Sequence, residues 1–249
     1  MLKEVVKRWG NHKLMVKWMT MFFCYLDRYY VKYHSLPLLN ASGLGIFRST
    51  IFDAIKVNMT SAMLVCINSE REGQAIDRGI VMACVELYEA MGMGSLDVYI
   101  ADFEIKFLAH SKEFYARKAS EWLAVDSTPA YLIKIEDVLE QEKARVQAYL
   151  NPETDAKLMR VIDEEALEKR QTDLLEKEGS GCRVLLVNDS FEDLGRMFRL
   201  FARLPDGLVP MAEIVRQHIL SLGNEKLEDR RLRLEQTNPA GGGAAGGAT

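Results

Sequence analysis

The sequence predicts an all-α protein, assembled as a bundle or a stack of helices. Apolar residues recur at spacings of three and four over long stretches, as in Ile76, Ile80, Ala83, Cys84, Leu87 and Met91. Glycine, proline and asparagine punctuate the chain at intervals of roughly ten to thirty residues, which suits helices joined by short loops. No stretch alternates convincingly between apolar and polar residues, apart from a short run at Arg183–Val187. Many helices with short connections imply a helical bundle or α-solenoid.

Taken in order, residues 3–9 and 12–34 read as helices parted near Gly10 and Asn11. The loop from Ser35 to Ser42 contains Pro37, with Asn40 or Ser42 as the N-cap of the next helix. Helical patterns cover 43–53 and 54–71 and stop at Gly73. The amphipathic stretch 76–91 ends at Gly92 and Gly94. Residues 96–125 form a long helix with Phe103, Phe107, Phe114, Tyr115 and Trp122 among its apolar positions. Thr128-Pro129 opens the next helix, because proline is well placed in a first turn, and Asn151-Pro152 closes it. Thr154 starts a further helix to about Glu178, broken by Gly179-Ser180-Gly181. Shorter helices are expected at 182–187, 191–204 and 207–222.

The run Phe22–Val31 is the most distinctive local feature. Leu14, Trp18, Met21, Tyr25 and Tyr29 fall on one helical face. Met15, Met19, Phe22, Leu26 and Tyr30 fall on an adjacent one. Lys13, Lys17, Thr20, Cys24, Asp27 and Arg28 leave only a narrow polar strip. Apolar cover this wide predicts burial on both flanks, either inside an all-α core or against a partner. Tyrosine and arginine favour the partner, since both bury apolar bodies while keeping polar ends.

Composition bounds the remaining possibilities. The chain is 48% apolar and 27% charged, as in ordinary globular proteins. Its net charge of −4 argues against a general nucleic-acid binder. Residues 1–33 carry seven basic against two acidic side chains, and residues 153–178 nine acidic against five basic. Both read as solvated helix faces, although the basic end suits an acidic partner. Cys24, Cys66, Cys84 and Cys182 lie far apart, without metal-ligand spacing, and are expected as buried free thiols in a reducing compartment. The first residues do not form a signal peptide, and no apolar run is expected to span a membrane. Sequons at Asn40, Asn58 and Asn188 carry no weight without secretion.

No phosphate loop, dinucleotide fingerprint or nucleophile elbow occurs. His12, His34, His110 and His218 are scattered, and Glu164, Glu165 and Glu168 are expected on a solvated face. No catalytic residue, metal site or cofactor is therefore assigned.

A series of motifs supplies a family. Lys7-Arg8-Trp9 with His12 comes first, then Phe22-Phe23 with Tyr25-Leu26-Asp27-Arg28-Tyr29 and Val31. Leu36-Pro37, Leu39-Asn40, Gly43-Leu44 and Phe47-Arg48 continue it. Next come Glu70-Arg71-Glu72-Gly73 with Ile76-Asp77-Arg78, and Phe114-Tyr115 with Arg117-Lys118-Ala119-Ser120 and Trp122. Glu140, Glu142, Arg145-Val146 and Tyr149-Leu150 come after these, then Leu174–Glu178 with Ser180–Arg183, Glu192-Asp193-Leu194 with Arg196-Met197, and Gln217-His218-Ile219. In order and spacing over roughly residues 2–223, this resembles the cullins, especially plant cullin-1-like members.

The resemblance implies stacked cullin repeats of about five helices each, forming an elongated α-solenoid-like stalk. It places the end of the first repeat at 1–35, the second at 36–152, part of the third at 153–223, and a disordered charged and Gly/Ala-rich tail at 224–249. It implies a non-catalytic scaffold subunit of an SCF-type cullin-RING ubiquitin ligase, acting in ubiquitin-dependent protein degradation in cytoplasm and nucleus. The implied partners are a Skp-family adaptor carrying an F-box protein and, as a further option, a cullin exchange factor, with neither nucleic acid nor membrane. Carried over by position, Tyr25 packs its ring on the adaptor and Arg28 bonds acidic or carbonyl groups. Phe22, Tyr29 and Lys32 lie within two turns. The helical pattern begins without a lead-in, and no match follows Gly223. The chain is therefore expected to be a truncated member without the RING-box site, so no RING-box subunit is expected to bind it. The alternatives are a non-functional fragment, or one that competes with full-length cullin, in either case without ligase-scaffold activity, or an unrelated helical-repeat binding module.

Overall fold

The structure, a computed structural model, describes residues 1–237, with side chains to residue 234. Every regular element among them is helical. The chain divides into two compact units that interleave in sequence.

The first unit comprises Met1–Ala119 and Glu136–Ala166. It opens with α1 (Leu2–Phe22), followed by α2 (Cys24–Leu26) and a π-helical turn, Asp27–Val31. Helices α3 (Leu39–Phe47) and α4 (Asp53–Arg71) run on through a π-helical turn at Arg48–Phe52. Gly73, at φ +88°, ends α4 in a conformation that glycine adopts without strain. Helix α5 (Arg78–Met91) starts at Asp77, whose carboxylate accepts the Ile80 N–H. Then come α6 (Asp97–Tyr99), a π-helical turn Ile100–Glu104, α7 (Ile105–Val125), α8 (Thr128–Tyr149) and α9 (Thr154–Ile162). The units take different parts of α7 and α8.

The core of the first unit is aromatic and sulfur-rich, with Phe47, Phe52, Met59, Met63, Leu87, Met91 and Phe107 all sealed from solvent. Phe52, Tyr88, Phe103 and Phe107 form a ladder with successive centroid distances of 5.2, 5.7 and 5.7 Å. The Tyr88 hydroxyl donates to Lys56 O at 2.9 Å and lies 2.6 Å from Thr60 Oγ1, so the ladder carries no orphaned phenol there. A second polar cluster joins the Tyr99 hydroxyl to Thr154 Oγ1 (2.8 Å), Thr154 to Glu104 (2.8 Å) and Lys157 to Glu104 (2.6 Å).

The second unit comprises Ser120–Ile135 and the chain from Leu167 onward. A 3-10 turn (Glu168–Arg170) leads into α10 (Gln171–Glu176), α11 (Cys182–Val187), α12 (Phe191–Phe201) and α13 (Leu208–Thr237). Tyr131, Leu132, Leu174, Cys182, Met197 and Phe201 fill its core. Polar side chains tie off the helix ends. Lys177 Nζ donates to the carbonyls of Leu123 and Asp126 at the end of α7, and Thr128 Oγ1 donates to Leu174 O at 3.1 Å.

Several expectations change. Helix α1 is unbroken through Gly10, where a Cβ would meet nothing within 4 Å. An exposed glycine costs only about 1 kcal/mol, and the docking of Trp9 and His12 on either side exceeds that. The break comes instead at Phe23 (φ −100°, ψ 18°). Neither Asn40 nor Ser42 caps α3; Leu38 occupies that position without a side-chain cap. Residues 154–178 do not form one helix, since α9 passes through a π-helical turn at Asp163–Leu167 and a 3-10 turn before α10. Within that stretch Glu165 is buried rather than solvated, and lies 3.4 Å from Lys112 Nζ. Residues 224–237, expected as disordered tail, continue α13, since Glu, Lys, Leu, Arg and Gln are strong helix formers; 238–249 lie outside the described residues. Cys84 and Cys182 are buried free thiols as expected, but Cys24 is exposed and Cys66 half-buried. The continuous helix Leu39–Arg71 is, by length and composition, apolar enough to cross a membrane. Here its Phe47, Phe52, Met59, Met63 and Ile67 pack in the core of the first unit.

Candidate functional site

Helix α1 docks on α3, α4 and α5 by an edge that the sequence pattern hides. Its buried side chains are Leu2, Val5, Trp9 and Val16, with His12 and Thr20 half-buried between and beyond them. Trp9 and His12 pack against Phe47 at centroid distances of 5.0 and 4.8 Å, and His12 Nε2 lies 2.9 Å from Gly43 O. Gly43 permits this approach, because a Cβ there would lie 2.7 Å from Val16 Cγ2. Thr20 and Asp27, counted in the polar strip, therefore sit at the docking edge. Both apolar faces turn outward instead. Trp18 is 52% exposed, Phe22 80% and Tyr25 71%. The expectation of burial on both flanks fails within this chain, because α1 meets α3, α4 and α5 along one edge only.

The structure brings the five candidate residues onto one exposed stretch. Phe22 lies at the end of α1, Tyr25 in α2, and Arg28 and Tyr29 in the π-helical turn, with Lys32 just beyond. All five side chains are exposed. The Tyr25 and Tyr29 rings pack together with centroids 4.5 Å apart, tilted by 43°. Among the described residues no carboxylate or carbonyl pairs with the side chains of Arg28 or Lys32. The result is a solvent-facing aromatic platform edged by two cations. Such a surface can bury apolar area and bond acidic or carbonyl groups at once.

Elsewhere, the first unit contains an ionic cluster that spacing along the chain does not reveal. Arg71 grips Glu142 with two bonds, Nε to Oε1 at 2.9 Å and Nη2 to Oε2 at 3.0 Å, and also donates to Ser111 Oγ at 2.9 Å. Arg145 Nη1 and the Tyr115 hydroxyl each donate to Glu142 Oε1 at 2.5 Å. The Tyr149 hydroxyl donates to Glu70 at 2.7 Å, as does Arg78 Nε. The Arg71 guanidinium lies between 5.1 and 5.4 Å from the ring centroids of Phe107, Phe114 and Tyr115. Burial alone would raise the Glu142 carboxyl, but the Arg71 charge and its paired bonds prevail and hold it below the ordinary value. Burial and the Glu142 charge push the Tyr115 phenol well up. Glu70, Arg71, Arg78, Tyr115, Glu142, Arg145 and Tyr149 all stand in the motifs that carry the family resemblance, but nothing in their spacing along the chain shows that they meet.

Among the described residues no group of three or more His, Cys, Asp or Glu side chains is placed to hold a metal ion. The geometry offers a surface for docking on a helical body.

The family profile described as "Cullin alpha solenoid domain" matches residues 1–240. The chain belongs to the cullin family. This cullin is 41% identical over 224 residues to "Putative cullin-like protein 1" of Arabidopsis thaliana, covering 90% of this chain and 31% of that protein. It is 42% identical to "Cullin-2" of the same plant over 224 residues (90% and 30%), and 43% identical to "Cullin-1" of Oryza sativa subsp. japonica over 223 residues (90% and 30%). It thus spans about a third of the length of these curated relatives. A cullin α-solenoid accounts for the all-helical architecture, and the helical packing agrees with the fold that the motifs imply.

Proposed function

We propose that this cullin is a scaffold component of an SCF-type cullin-RING ubiquitin ligase, docking a Skp-family adaptor and its F-box protein. The observation that carries the reading is the exposed platform of Phe22, Tyr25, Arg28, Tyr29 and Lys32, whose two cations have no partner among the described residues. Tyr25 and Tyr29 offer a preformed ring pair, so little side-chain freedom is lost when a partner covers them. Arg28 and Lys32 select acidic or carbonyl-rich partners and speed their approach. The scaffold contributes by holding bound components at high effective concentration rather than by chemistry of its own. Cytoplasm and nucleus are the proposed compartments, and the free cysteines suit them.

The test is calorimetric titration of the chain with a purified Skp-family adaptor. Saturable binding is expected, weakened at least about tenfold by Tyr25→Ala combined with Arg28→Ala, in the range of an interface hot spot. No binding, or binding unchanged by the double substitution, overturns the adaptor reading.

A further inference from the structure

We infer that Asp27 is a positioning residue that locks the aromatic platform onto α3. Asp27 lies within the platform's own stretch, between Tyr25 and Arg28, yet its side chain points the other way and is half-buried. Its Oδ1 accepts the backbone N–H of Leu39, the first residue of α3, at 3.0 Å across twelve positions. That bond takes the place of a local cap. Leu38, at the N-cap, has an apolar side chain and makes no capping bond, so of the free N–H groups at the start of α3 the Leu39 N–H is satisfied by Asp27 instead. A carboxylate at a helix N-terminus also meets the favourable end of the helix dipole.

The intervening chain suits a clamp. The Leu36 N–H donates to Val31 O at 3.0 Å, closing the end of the helical stretch, and Ser35 reverses the chain at φ +51°. Between Phe23 and Leu39 the segment buries no side chain fully, so little apolar packing holds it. Under those conditions one charge-assisted bond has a large share in deciding whether Tyr25, Arg28, Tyr29 and Lys32 share one surface. The π-helical turn contributes too, since its wider backbone shifts the residues beyond it relative to α1. Asp27 itself does not touch a partner; it acts through the orientation of residues 24–34.

This inference rests on the adaptor reading only for its binding arm. Hydrogen exchange of the full chain, followed by mass spectrometry, tests the clamp directly. Asp27→Ala is expected to speed exchange across residues 24–34 and at Leu39 by about fivefold, the equivalent of a lost helix cap. Asp27→Asn, which keeps an acceptor oxygen, should restore most of the protection. Adaptor affinity should fall by about threefold or more in Asp27→Ala and recover in Asp27→Asn, because the competent fraction of the platform falls and returns. Unchanged exchange in Asp27→Ala overturns the clamp. Faster exchange with unchanged adaptor affinity overturns the positioning role. If the wild-type chain binds no adaptor, the adaptor reading fails, and exchange over 24–34 still decides the clamp.

Discussion

Arg71 and Glu142 face each other across a two-pronged ion pair, with 2% and 0% of their side chains exposed. A buried pair of this kind adds little net stability compared with an apolar pair. Breaking it leaves an uncompensated charge in a medium that solvates charge poorly. Glu142 also accepts from Arg145 and Tyr115, so a single substitution disturbs three donors.

Glu142→Gln should therefore destabilise the chain by about 3–5 kcal/mol. Urea unfolding followed by circular dichroism measures it. A loss below about 1 kcal/mol would show that the cluster is not closed as described.

The same carboxyl gives the pH dependence a sign. Its folded value lies below the ordinary 4.5, with burial opposed and exceeded by Arg71. A depressed acid stabilises the fold above its unfolded pKa, and that stabilisation is lost as pH falls through the folded value. Wild-type urea midpoints should thus drop on acidification below about pH 4.5, and those of Glu142→Gln should drop less. Equal slopes would contradict the assignment.

The contact of Gly43 with Val16 makes a paired prediction. Gly43→Ala places a methyl group 2.7 Å from Val16 Cγ2 and should cost about 1–3 kcal/mol by overpacking. Val16→Ala removes the clash, so the double variant should lose less than the sum of the singles. Strict additivity in thermal unfolding would argue against this docking edge.

In the second unit, Gly181 is closed in by backbone. An added Cβ would lie 2.5 Å from Leu175 O and 2.8 Å from Lys177 O. Backbone cannot rotate aside as a flexible side chain can. Gly181→Ala should therefore lower stability by about 2 kcal/mol or more, whereas Gly10→Ala, in open space, should raise it by up to about 1 kcal/mol. Chemical unfolding of the two variants compares them directly.

The outward faces of α1 predict a solution property. Trp18 and Met21 are 52% and 56% exposed, and a contiguous apolar patch favours association. Trp18→Lys with Met21→Lys should reduce dye binding to exposed apolar surface and leave the unfolding midpoint nearly unchanged. A lowered midpoint would mean that these side chains are packed.

Much of the architecture was legible in one dimension. Helical spacing in 76–91 anticipated α5, and the Thr128-Pro129 start and the Asn151-Pro152 stop bracketed α8, because local propensity and punctuation act over a few residues. The motifs from Lys7 to Ile219 pointed to the family for the same reason: their order is a property of the chain itself. The platform residues were also named from sequence, though not their exposure. Spacing along one helix leaves open which of several apolar edges docks. Trp9, His12 and Val16 took that role because Gly43 and Phe47 form a surface they fit, a property of two helices together. The Arg71–Glu142 pair and the Asp27–Leu39 bond likewise exist only once residues 71 and 12 positions apart are brought within 3 Å. Sequence by itself determined the helices and the family. Tertiary structure decided which face is covered and which remains open, because burial depends on the neighbour a helix meets and not on its own pattern.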